Sequence, residues 1–533
     1  MPLARVVLAM LLLLLALWPA VQAPIVADDL VIFTRWATES PSVAFPWFFS
    51  DQGGLFQGPR VLPTSKLLNG AWLESIFSIG PWLGLRPDSL FRLWRFFGPL
   101  IAIAAGAFAL STWRISSLWG RSTHTQVHRS TSRLDDWSYW FLALAVVAAA
   151  TVQIHGLWSN DPVVAYTYTA WGSAAFMFGY IALLRPGFSA PRWRGALAVG
   201  AAAGMGTVSV WFYELGVGAV VAALMASIVG TVVVLLRSRQ STPYSQSALQ
   251  FACRGAAMTL IPLAAFAVPR FFGAATLVGH PGYEGTRPQW GQDVLSSLVA
   301  NIASNFPGAG LQQTWRAIGP FWGTAQLSLF AVLASIALGA ASWALLRQTP
   351  GSTSTNRTED ADRADRSPPD AWLPAIGILT IALTLLFSTT IQAITEKIQN
   401  EAGGRLGFVY LFYAPGFIAA SSLVAIVLII MIQLRSRWPG VIAVAALVVF
   451  STQQLAANRA LSDTLKSQYV VNERVLDALY MRGDAAHDAR CSALNDFLRH
   501  GYPTYYSYAI AFNISVAHRQ LYRERLCRSY DGP

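Results

Sequence analysis

The chain has 533 residues, 54% of them hydrophobic and 12% charged, whereas a soluble globular domain carries about 25% charged residues. That composition excludes a water-soluble enzyme folded around a single core. The formal charge of +11 would suggest a nucleic-acid partner in a soluble protein. In a chain with repeated long apolar runs it reads instead as membrane topology, because Lys and Arg collect in loops held on the cytoplasmic side.

From Val6 to Ala27 no residue carries a charge, a run of 22; at the helical rise about 20 residues cross a hydrocarbon core. Ala20-Val21-Gln22-Ala23 is rich in small residues, which a signal-peptide cleavage site also is. Against cleavage, the preceding region has only Arg5, the run exceeds a usual signal core, and Pro24 would follow the cut. The segment is therefore read as a retained helix, 6–26. Ten further spans are predicted at 94–113, 138–155, 169–184, 196–212, 216–236, 252–269, 324–346, 372–394, 408–434 and 439–456. The fold class that follows is an all-α polytopic membrane protein with about eleven transmembrane helices, with residues 1–456 as the multi-pass domain.

With Arg5 inside, the arginines sort by side. Arg114, Arg121, Arg129 and Arg133 fall in the first inside loop, and Arg185, Arg192 and Arg194 in the second. Arg237, Arg239 and Arg254 fall in the third, Arg347, Arg357, Arg363 and Arg366 in the fourth, and Arg435 and Arg437 in the fifth. The short outward connections at 156–168 and 213–215 have no basic residue. This asymmetry predicts a cytoplasmic N-terminus and, with an odd span count, an external C-terminus.

Two outward segments are long, 28–93 and 270–322. In the first, Leu67, Leu68, Trp72, Ile76, Phe77, Trp82 and Leu83 recur at helical spacing, which predicts amphipathic surface helices. In the second, Val294 to Ile302 predicts another. The inside loop Gln348–Asp370 is rich in Ser, Thr and Pro with interleaved charge, and is read as disordered and without chemistry. The Asn356-Arg357-Thr358 sequon in it is read as accidental. The tail, 457–533, is too polar to span and predicts a helix leading away from the membrane, marked by Leu461, Leu465, Val475, Leu476 and Leu479, then a small external unit. Cys491 and Cys527 lie in that unit; outside the cytoplasm they are either a disulfide or two unrelated small hydrophobes. Cys253 is read as a packing residue. No internal repeat is visible, which disfavours many transporter architectures.

Ionisable residues gather on the outward side. Asp28 and Asp29 stand where the first span ends, and His155 and Asp161 follow in Trp158-Ser159-Asn160-Asp161-Pro162. Glu214 sits in the third outward connection, His280 in the second long segment, and Glu396, Lys397, Glu401 and Arg405 in the fifth outward connection. Each has an ordinary alternative. Asn-Asp-Pro is a turn signal, acids follow many spans, and Lys397 and Arg405 fit the headgroup zone. Together they suit activation of an alcohol: a carboxylate takes the proton of an attacking hydroxyl, a cation stabilises a departing phosphate, and aromatic faces stack on sugar rings. Neither a phosphate-cradling Gly-rich loop nor the Walker pattern occurs, so an activated group would arrive attached to a membrane lipid.

The acidic pair after the first span, the long outward loop with surface helices and the many later spans resemble the integral-membrane glycosyltransferases of the GT-C superfamily. Within that superfamily, Ile25-Val26-Ala27-Asp28-Asp29-Leu30, with Gly58-Pro59-Arg60-Val61-Leu62-Pro63-Thr64-Ser65 further on, is loosely similar to bacterial envelope arabinosyl- and mannosyltransferases. The resemblance implies an aspartate base at Asp28 or Asp29, a polyprenyl-phosphate-linked sugar as donor, and a glycan, lipid or protein acceptor. It also implies a site on the outer face of the bacterial cytoplasmic membrane. Asp161 would stand where some members keep a second acid. No nucleotide cofactor is implied; some branches use a divalent metal and others do not. Three other functions fit the same layout: a transporter or flippase of a lipid-linked glycan, an envelope glycan polymerase or ligase, and a non-enzymatic scaffold whose outer tail binds a partner.

Overall fold

A computed structural model describes residues 1–38, 63–118, 133–154, 163–190, 192–238, 244–273, 289–291, 293–306, 329–348, 372–402, 412–434, 436–501 and 504–527. Among these described residues the regular structure is helical, with no strand element. The run from Pro2 to Gln22 forms α1, which stops at the extended Ala23-Pro24 step before α2 (Ala27–Thr38). Then come α3 (Pro63–Trp82), α4 (Pro87–Thr112), α5 (Arg133–Thr151), α6 (Thr167–Ser189), α7 (Arg192–Phe212), α8 (Gly216–Ser238) and α9 (Tyr244–Gly273). They are followed by α10 (Asp293–Ala303), α11 (Leu329–Arg347), α12 (Leu373–Ala393), the short α13 (Glu396–Ala402), α14 (Tyr413–Gln433) and α15 (Trp438–Gln468). Three helices close the chain, α16 (Val470–Tyr480), α17 (His487–His500) and α18 (Thr504–Tyr522).

Each of the eleven predicted spans falls on a helix, and eight of these helices are long and apolar enough to cross a membrane. The protein is thus an all-α, multi-pass membrane protein. Three spans, on α5, α6 and α11, fall outside the eight, and the first two are deeply packed. On α5 every residue from Ser138 to Ile154 is buried, and α6 buries Trp171, Met177, Phe178 and Tyr180. A helix wrapped by other helices meets little lipid and can carry Ser, Tyr and Trp without cost. Peripheral helices show the opposite character: α9 exposes Leu249, Leu260, Ile261 and Val268. Cys253 lies exposed on this peripheral helix, so it is not the packing residue the sequence suggested.

Buried polar contacts fix which helix ends lie together. Arg5, 1% exposed, pairs with Asp135 at the start of α5 (2.7 Å) and donates to the carbonyls of Leu345 and Gln348 at the end of α11 (3.4 and 2.6 Å). Arg185 donates to the Thr112 carbonyl, joining the ends of α6 and α4. Arg254 donates to the carbonyls of Phe188 and Ala190 just past α6 (3.1 and 2.8 Å). Cations on the last carbonyls of helices satisfy groups with no partner inside the helix. These contacts define one end of the bundle, called here the N-terminal end. At the other, acidic end, Asn458 donates to the Val152 carbonyl (3.0 Å) and accepts from the Ile154 amide (2.8 Å). The alternation of ends is that of a chain threading back and forth.

α1 is part of this bundle, burying Leu8, Ala9, Leu13, Ala16, Leu17 and Ala20 in the main core. A second core sits at the acidic end. There Ile25, Leu30 and Phe33 from the α1–α2 region meet Leu73 and Ile76 of α3, Phe91 of α4, and Val475, Leu476, Leu479, Leu494, Phe497, Ile510 and Ile514 of the last three helices. α15 runs unbroken through residue 456 to Gln468, with Leu461 and Leu465 in the main core, so the tail grows directly out of the last span. The tail then folds back onto α2. Cys491 and Cys527 form a disulfide across 36 residues of sequence. Arg490, one residue before Cys491 and 2% exposed, braces the same corner by donating to the carbonyls of Leu526 and Gly483 (both 3.0 Å).

Candidate active site at the acidic end

Asp28 and Asp29 fall in the first turn of α2, where a carboxylate meets the positive end of the helix. The side chain of Asp28 lies outside the described residues. Asp29 turns inward, 3% exposed, and its Oδ1 accepts the amide of Tyr166 at 3.1 Å. Tyr166 caps the start of α6 with a left-handed backbone (φ 53°). A non-glycine residue holds that conformation at a cost of about 1–2 kcal/mol, which the bond from Asp29 helps to offset. The carboxylate of Asp29 thus stands at the N-terminal ends of two helices and ties the segment after α1 to the segment before α6.

Arg95 completes the tie from the other side. It belongs to α4, is 1% exposed, and donates to the carbonyls of Ala20 and Ala23 from Nη1 (3.1 and 2.5 Å) and of Pro24 and Val164 from Nη2 (2.8 and 2.6 Å). Two of these carbonyls belong to the break between α1 and α2, one to the last turn of α1, and the fourth lies two residues before Tyr166. A guanidinium presents its donors in a fixed fork, and here the fork is filled by main chain that has left helical bonding. Arg95 therefore sets the path along which Asp28 and Asp29 leave the bundle.

Further out, the other arginines of α4 and its cap are also engaged. Arg92 pairs with Glu473 of α16 at 2.7 Å, and Arg86 pairs with Asp88 and Asp477 at 3.0 and 2.8 Å. These pairs latch the C-terminal helices onto α4.

Beside the tie runs a row of aromatic rings. Trp72 of α3 lies 5.2 Å from Trp94 of α4, Trp94 lies 5.4 Å from Tyr168 of α6, and Tyr168 lies 5.5 Å from Phe212 at the end of α7. Trp72 Nε1, Trp94 Nε1 and Tyr168 Oη are buried without hydrogen-bond partners. Buried polar groups in native proteins are nearly always bonded, so three adjacent unspent donors mark a wall with capacity for a polar ligand. Glu214 is half-buried in the tight turn two residues beyond Phe212. The structure therefore brings Asp29 and Glu214 to one end of the bundle, linked through Tyr166, Tyr168 and Phe212.

Asp161, His155, His280 and Arg405 lie outside the described residues, as does the side chain of Lys397, whose helix α13 stands at the acidic end beyond α12. Among the described residues no three His, Cys, Asp or Glu side chains converge as a metal site would require. Sequence reasoning missed Arg95, Arg92 and Arg86. Arg86 and Arg92 lie in the segment 28–93, which also carries Arg35 and Arg60, so nothing in the sequence set them apart, and Arg95 falls inside a predicted span. Comparison of the chain with protein-family models, with curated proteins and with solved structures finds no match.

Proposed function

We propose that the protein is a glycosyltransferase that moves a sugar from a polyprenyl-phosphate-linked donor to a glycan, lipid or protein acceptor at the acidic end of the bundle. In this reading that end faces outward from a bacterial cytoplasmic membrane. The observation that carries the reading is the anchored acidic pair: Asp29 and Arg95 fix the backbone beside a wall of tryptophan and tyrosine with unspent donors.

The bond made by Asp29 supports a division of labour within the pair. The carboxylate of Asp29 is held on the Tyr166 amide and acts as a positioning residue, which leaves the role of general base to Asp28. The base takes the proton of the acceptor hydroxyl, whose oxygen attacks the anomeric carbon. The bond from that carbon to the phosphate oxygen breaks, and polyprenyl phosphate leaves. The arginines nearest the pair are committed, Arg95 to four carbonyls and Arg92 to Glu473. The charge that builds on the leaving phosphate therefore falls to Lys397 or Arg405. Trp72, Trp94 and Tyr168 provide faces and edge donors for a sugar ring.

The test is sugar transfer from radiolabelled polyprenyl-phosphate sugars in membranes containing Asp28→Asn or Asp29→Asn. The first should lose transfer at normal protein level. The second should keep most of it, because the oxygen of an asparagine still accepts the Tyr166 amide. Full activity in both variants would remove the acidic pair from the mechanism.

A further inference from the structure

α10 lies in the second long outward segment, and it is turned the wrong way round for a helix in water. Leu295 and Val299 are 68% and 58% exposed, whereas Ser297, Asn301, Ser304 and Asn305 are buried. Spacings of four, seven and eight residues from Ser297 place these four on one stripe. A helix with lipid on its outer side turns its polar stripe to the protein. In the turn just past α10, Ser304 Oγ donates to the Ala300 carbonyl and Asn305 Nδ2 to the Asn301 carbonyl (2.6 and 2.8 Å), but the rest of the stripe is left unsatisfied. Asn301 is fully buried with neither Nδ2 nor Oδ1 bonded, and Ser297 Oγ and Asn305 Oδ1 also lack partners.

The elements packed against α10 continue the pattern. α10 contacts α12 and α13. Near the end of α12, Gln392 leaves Oε1 without a partner. On α13, Gln399 donates to the carbonyls of Gln289 and Ala393 (2.8 and 3.1 Å), fastening α13 to the segment that leads into α10. α14 comes close only because it presents Gly416 there: a β-carbon at that position would lie 2.6 Å from Asn305 Oδ1.

The unspent groups are the Asn301 carboxamide and the Ser297 hydroxyl on α10, Oδ1 of Asn305 in the turn after it, and Oε1 of Gln392 on α12. All are neutral, and carboxamides both donate and accept, as sugar hydroxyls do. A phosphate or carboxylate would call for cations. We propose that the inward stripe of α10, Ser297, Asn301 and Asn305 with Gln392 of α12, is a subsite for a neutral sugar ring of the glycan substrate. The proposal rests on the transfer reading for the identity of the ligand as a glycan, not for the polarity of the subsite. The stripe is covered in this structure, so occupancy requires α10 to part from α12.

The experiment uses the full chain in lipid nanodiscs free of glycosidic detergent. In the donor arm, binding of citronellyl-phosphoryl mannose and citronellyl-phosphoryl arabinose is compared with that of citronellyl phosphate; in the acceptor arm, octyl dimannoside is compared with octanol. The wild-type protein should bind a sugar-bearing probe of one arm at least about tenfold more tightly than its sugar-free counterpart, a gain typical of a few matched hydrogen bonds. Asn301→Leu should erase that gain, leave the sugar-free probe within about twofold, and keep or raise the thermal midpoint of the free protein, because it removes an unbonded buried amide. Ser297→Ala, a gentler change, should reduce the gain partway and serves if the leucine variant does not fold. A sugar-dependent gain unchanged in both variants, or no such gain in the wild type, overturns the subsite. Asp28→Asn separates this result from the transfer reading, since it should abolish transfer and leave the sugar-dependent gain intact.

Discussion

The two ends of the bundle handle buried polarity differently. At the N-terminal end, Arg5 meets a carboxylate and the last carbonyls of α11, while Arg185 and Arg254 cap other helix ends. At the acidic end, Arg95 donates to four main-chain carbonyls, Trp72, Trp94 and Tyr168 beside it keep unspent hydrogen-bonding capacity, and so do Asn301 and Gln392 elsewhere at that end. Unmade bonds cost stability, and proteins concentrate such costs where function needs them. The N-terminal end also leaves Arg5 Nε and Arg185 Nε unbonded, so what supports the proposed binding role of the acidic end is that its unspent groups include aromatic and carboxamide side chains, not only the remainder of engaged guanidinium groups.

The largest effect expected from this contrast is on transfer. Asp28→Asn should lower it by at least about 100-fold, the usual contribution of a positioned general base, read as product formed per folded protein. Next in size is the anchor. Arg95→Leu strands four carbonyls in a dry turn and should cost about 3 kcal/mol or more of stability, read as a fall in the thermal midpoint. Arg95→Lys, able to reach some of the carbonyls, should recover part of both midpoint and transfer. A merely structural role for Arg95 would leave transfer per folded molecule unchanged in the lysine variant.

Smaller effects belong to the C-terminal helices that cover the acidic end. Cys491→Ser should lower the stability of that region by about 2–4 kcal/mol, read by limited proteolysis with and without reductant. The smallest effect is a pH dependence. His518 is fully buried, and its Nδ1 faces the Leu479 carbonyl at 2.9 Å while its Nε2 has no partner. Burial lowers its pKa, the nearby Arg490 lowers it further, and the Leu479 carbonyl and Glu524 oppose the shift. A folded-state pKa below the ordinary value of about 6.5 means that the neutral ring is favoured in the fold. The stability it brings is complete above about pH 6.5 and is lost as pH falls through the lower, folded value. His518→Gln should flatten that decline, measured as proteolytic protection of α16–α18 against pH.

The contrast between ends also explains what the sequence could show. All eleven helices were legible because long apolar runs admit few other solutions in a bilayer. The polar core of α5 and α6 was less so, since their burial depends on neighbours. Arg95 was hidden because it lies inside a predicted span and its partners are carbonyls, which every residue possesses. Adjacent residues on a helix point about 100° apart, so the sequence could state that Asp28 and Asp29 differ, but only the position of Tyr166 reveals which is anchored. Residues 294–302 read as a surface helix; which stripe of α10 faces the protein is decided by packing. The tail was read as leading away, yet Val475, Leu476 and Leu479 return to α2, because the apolar faces of Leu30 and Phe33 need cover.

The most direct measurement sets one carboxylate from each end against the other. Sugar transfer and thermal midpoint are recorded together for Asp28→Asn and Asp135→Asn in purified full-length protein. The first should abolish transfer with the midpoint nearly unchanged. The second, which breaks the pair with Arg5, should lower the midpoint while the molecules that remain folded transfer sugar at the wild-type rate. Transfer that survives Asp28→Asn, or is lost per folded molecule in Asp135→Asn, would contradict the placement of the chemistry at the acidic end.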